Sequence, residues 1–175
     1  GDGPDAGSRR RMRLSRGEPA WVPAAEVRGE GIFIQFDEAR LATWLATPAA
    51  RQRDQQFLDA HTRWRQARRL EPANAHFPGL RYALLHSFAH ALMRQFVLEC
   101  GYNAASLRER IYARYPNESD AQPGAMAGVL IYTAAPDSEG TLGGLVSLGE
   151  PEQLSRHLRA ALRDAAQCAS DPLCA

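Results

Sequence analysis

The sequence predicts an α+β fold, with α/β as its variant: a helix-rich single domain around a small sheet whose buried central strand lies near 128–134. Two observations predict it. Long segments repeat their apolar residues at helical spacing, as in Leu41, Trp44 and Leu45, then Phe57, Leu58 and Trp64, then Leu154, Leu158 and Leu162. One short run, GVLIYTA over 128–134, is apolar throughout and rich in β-branched residues, which marks a buried strand.

The elements follow in chain order. Residues 1–17 hold Gly, Pro, Asp and a crowd of arginines with no apolar period, and read as a disordered lead-in to a domain over 18–175. WVPAAEV (21–27) carries Pro23, which suits an edge or irregular strand, while GIFIQF (31–36) is the better strand, bounded by Gly and Asp. Asp37 to about Leu70 is helical and broken at Pro48. The segment EPANAHFPG (71–79) is a loop, because two prolines and a glycine interrupt it. A helix from about Leu80 to Cys100 stops at Gly101, and its apolar residues point several ways, so it should be covered on most sides. Asn103 is a good N-cap, which predicts a helix over Ala104–Arg114 closed by Pro116. After the 128–134 strand comes a Gly-rich loop (135–144). A last helix then opens with Pro151 in its first turn.

Composition bounds the function. The 175 residues suffice for one core, or for one domain plus an arm. The net charge of +1 hides an uneven layout, with arginines crowded at the start and over 51–69, and no lysine anywhere. Arg suits phosphate contact, though GC-rich coding alone gives the same bias. A pI near 8.0 lies below that of a dedicated nucleic-acid domain. The start is too polar for a signal peptide and no run is long enough for a membrane span. Three cysteines without framework spacing point to a reducing, cytoplasmic setting. Both ends read as cut, which leads us to expect part of a longer protein.

Three features could carry chemistry. His86 and His90 stand four apart in HSFAH, a metal-ligand spacing on a helix, but without the Glu of HExxH. Met93 and Val97 lie on the same side, so the pair should sit on an apolar face, where imidazoles most often serve structure. The loop PDSEGTLGG offers Asp137 and Glu139 as acid–base groups or ligands beside backbone donors, or else is a tight turn. Cys168 and Cys174 are two thiolates at a sensible spacing, where structural zinc needs four ligands. No nucleophile elbow or activated cysteine is present.

The strings LLHSFAHALMRQFVLECGYNAASLRERIYA, GVLIYTAAPDSEGTLGGLV and CASDPLCA, in that order and preceded by WVPAAEVRGEGIFIQFDE, resemble the DrmB family of the DISARM antiphage systems. More distantly they resemble the MrfA-like zinc-binding domain at the C-terminus of certain DNA helicases. The resemblance covers about Glu18 to Ala175. It implies a C-terminal part of such a protein, partnership with a DrmA-like helicase, association with DNA, and zinc. In the family the cysteine motif continues; here only Cys168 and Cys174 carry over as ligands. The favoured reading is a non-catalytic accessory module, with Arg63, Arg65, Arg68 and Arg69 as phosphate contacts. The alternative is a metal-assisted hydrolase built on the His86/His90 helix and the Asp137–Glu139 loop.

Overall fold

The computed structural model describes residues 21, 29–100, 106–115, 124–133 and 144–166. Strand β1 (Gly31–Gln35) leads into helices α1 (Glu38–Leu45) and α2 (Pro48–Ala67). Helix α3 (Gly79–Cys100) follows, then strands β2 (Leu107–Tyr112) and β3 (Gly128–Thr133). Helices α4 (Gly144–Leu148) and α5 (Pro151–Ala166) end the described chain. Local chemistry sets the boundaries. The Asp37 carboxylate accepts the Arg40 amide at 2.9 Å and so starts α1. Thr47 accepts from Ala50 at 3.3 Å, and Pro48 occupies the first turn of α2, where a missing N–H costs nothing.

The three strands pair antiparallel in the order β1-β3-β2. This is the α+β architecture, since a parallel crossover is absent among the described strands. β3 is central, as its apolar run implies, and Val129 and Ile131 are fully buried. Register puts Ile32 and Ile34 of β1 opposite Ile131 and Val129, with Leu107, Glu109 and Ile111 of β2 on the same face. Helix α3 packs there through Leu85, Ala89, Leu92 and Phe96, an i, i+4, i+7, i+11 stripe with no exposure, joined by Leu145 and Leu148 of α4. Cover over α3 is less complete than its composition suggests, for Leu98 is 71% exposed.

One element differs from the sequence reading. Where the capping pattern predicts a helix over Ala104–Arg114, residues 107–112 form the edge strand β2. The segment LRERIY alternates, and pairing with β3 satisfies the backbone groups on its inner edge while Leu107 enters the core at 2% exposure. Tertiary pairing overrides the capping signal of Asn103, a residue that lies outside the described ones. The irregular strand expected over 21–27 and the lead-in over 1–17 likewise fall outside them, apart from Trp21.

Candidate metal centre

Helix α3 presents His86 and His90 one turn apart on the side that overlooks β2. Their Nε2 atoms are 3.0 Å from each other. Glu109 of β2 projects toward them, because alternation places it on the α3-facing side between Leu107 and Ile111. Its Oε1 lies 3.3 Å from His90 Nε2 and 3.7 Å from His86 Nε2. Tyr82, one turn before His86, stacks on that imidazole at 5.6 Å. The three ligand atoms all lie within 4.8 Å of one another.

This arrangement corrects the expectation that the histidines sit on an apolar face. Their side chains are 43% and 55% exposed, so they stand at the rim of the core. The reason is β2: an edge strand, carrying a carboxylate where an apolar residue would have closed the contact. Partial burial, then the neighbouring His90, hold the His86 imidazole below the ordinary histidine range, while Glu109 pulls the other way.

Glu109 is the member of this cluster that sequence reasoning missed. Its signal is a period of two in LRERIY, with Glu between Leu and Ile, which the Asn103 capping pattern overshadows. Asp137, Glu139, Cys168 and Cys174 lie outside the described residues. The four candidate arginines cluster at the C-terminal end of α2. Arg65 donates to the Pro72 carbonyl at 3.2 Å and Arg68 lies over the Trp64 ring at 4.3 Å; Arg63 and Arg69 are exposed. None of the four is paired with a carboxylate among the described residues. A second basic surface emerges only in the fold. The outward face of the sheet carries Arg108 and Arg110 beside an edge-to-face Phe33–Tyr112 pair at 5.7 Å.

Fold and site together define a small α+β domain with an imidazole–carboxylate cluster able to hold a metal. Residues 88–175 match the MrfA Zn-binding domain family, and the chain belongs to it. The chain is also 37% identical over 162 residues to the DISARM protein DrmB of Bacillus paralicheniformis. That similarity takes in 92% of this chain and 27% of the relative, so the chain spans about a quarter of the length of the curated protein it matches. The family name carries zinc; the match begins at residue 88, so it takes in His90 and Glu109 but not His86. Among the described residues, no helix is long and apolar enough to cross a membrane.

Proposed function

We propose that the chain is part of a DISARM-type antiphage defence protein and acts there as a non-catalytic accessory module, in the cytoplasm. It would associate with a DrmA-like helicase and grip DNA through backbone phosphates. The observation that carries this reading is the 37% identity to DrmB along 92% of the chain. Arg63, Arg65, Arg68 and Arg69 are the proposed phosphate contacts, supported by their lack of carboxylate partners among the described residues and by their grouping at one helix end. Zinc is the proposed structural ion, with Cys168 and Cys174 among its thiolate ligands.

The experiment is capture of the helicase subunit of the same defence system by the tagged chain, with and without nuclease treatment. Capture that survives nuclease supports a direct accessory role. Absence of the helicase from both samples, with the chain folded, contradicts it.

A second reading, a metal-assisted hydrolase, gains support from the convergence of His86, His90 and Glu109. It requires phosphodiester hydrolysis by the zinc-loaded chain that fails in both Glu109→Gln and Glu139→Gln. Hydrolysis unaffected by either change would end it.

A further inference from the structure

We propose that His86, His90 and Glu109 form a zinc-class divalent-cation site that ties α3 to β2 and leaves one coordination position open to solvent. It differs in donor chemistry from a cysteine site. The inference does not depend on the DNA or helicase reading.

Geometry carries it first. A tetrahedral ion with bonds of about 2.0–2.1 Å separates its ligand atoms by roughly 3.3 Å. The three edges here are 3.0, 3.3 and 3.7 Å, which bracket that value. An ion entering this triangle needs only tenths of an ångström of movement from side chains that are already half exposed. Both histidines offer the same nitrogen, Nε2, as one helical turn between them allows.

The partners of these side chains separate them from histidines that serve packing. Two other histidines are held differently: His61 Nε2 meets the Ala75 carbonyl at 2.9 Å, and His157 is buried edge-on against Phe96 with its Nε2 lacking a hydrogen-bond partner among the described residues. Among the described residues, neither His86 nor His90 has a backbone carbonyl partner; they have each other and Glu109. Among the described residues, Glu109 in turn has no arginine partner. Arg108 and Arg110, its sequence neighbours, project from the opposite face of the sheet. Two imidazoles and a carboxylate suit zinc and its transition-metal neighbours, whereas magnesium and calcium require oxygen ligands. The exposure of His90 leaves room for a water or an exogenous ligand on the outer side.

The test is a calorimetric titration of the full chain bearing Cys168→Ser and Cys174→Ser, stripped of metal, with zinc and then with cobalt(II). One ion per chain is expected, and cobalt should give visible d–d bands without a thiolate-to-metal band in the near ultraviolet. His90→Ala and Glu109→Gln should each weaken binding by at least about tenfold, with the metal-free melting temperature of each variant checked for folding. His61→Ala should leave the affinity unchanged, and magnesium should not compete. Absence of zinc binding by the folded chain, or an affinity that neither ligand variant lowers, would overturn the site.

Discussion

Arg81 is 1% exposed, and its guanidinium reaches the Glu38 carboxylate at 2.7 Å and the Met126 carbonyl at 2.7 Å. One side chain thus ties α1, α3 and the segment that leads into β3. A buried charge stripped of its partner is costly, at about 3–5 kcal/mol for a fully enclosed pair. Glu38 still reaches solvent, so Glu38→Ala should cost less, about 2 kcal/mol, in denaturant unfolding; an unchanged midpoint would contradict the role given to the pair. The hydrogen bond from Arg81 also lowers the Glu38 carboxyl below its ordinary 4.5. Its contribution is therefore present above about pH 4.5 and is lost as the pH falls through the lowered value. His157 adds to this trend. Burial lowers its imidazole below 6.5 despite Glu99, so the unfolded chain binds that proton more readily and stability falls as the pH drops below 6.5. Unfolding midpoints at a series of pH values should rise from acid toward neutrality, and His157→Gln should flatten the part of the curve just below pH 6.5. At this scale the sequence showed little. The Arg81–Glu38 pair is 43 residues apart, and no local pattern joins them.

Among the elements, β2 decides both the sheet and the His86–His90–Glu109 cluster. Were 104–114 a helix, Leu107, Arg108 and Ile111 would share one face, and Glu109 would turn away from the histidines. As a strand it has a period of two. Alanine substitution should follow that period: Leu107→Ala costs about 2–5 kcal/mol, while Arg108→Ala stays within about 0.5 kcal/mol. Equal costs at 107 and 108 would favour the helix. The other elements were legible because each carries a local signal strong enough to stand alone. Pro48 divides α1 from α2, GIFIQF reads as β1, and the apolar run of β3 fixes the centre of the sheet. β2 was not, because its charged alternate residues resemble the surface of a helix and its strand character comes from pairing with β3. The histidine pair was legible by spacing; Glu109 beside it was hidden with the strand.

For the whole molecule, the residues outside the core matter most. Phe33 on the outer sheet face is 56% exposed, Leu98 of α3 71%, and Leu162 of α5 65%. Family membership was legible from three ordered strings and not from periodicity, which reached only a helix-rich α+β domain. The core supports this scale as well. Phe96 contacts both the sheet cluster and His157, so Phe96→Ala should lower stability by about 3–5 kcal/mol and expose apolar surface to a fluorescent dye. The proposed grip on nucleic-acid backbone has a direct physical signature. Its most direct test is fluorescence anisotropy with labelled single- and double-stranded DNA across a range of salt. Each neutralised phosphate on a duplex contributes about −0.9 to the slope of log K against log salt, so engagement of the four arginines gives a slope on the order of −3 to −4. Replacing Arg63, Arg65, Arg68 and Arg69 by Glu should weaken binding and flatten that slope; a folded variant with the affinity and slope of the parent chain would contradict the account.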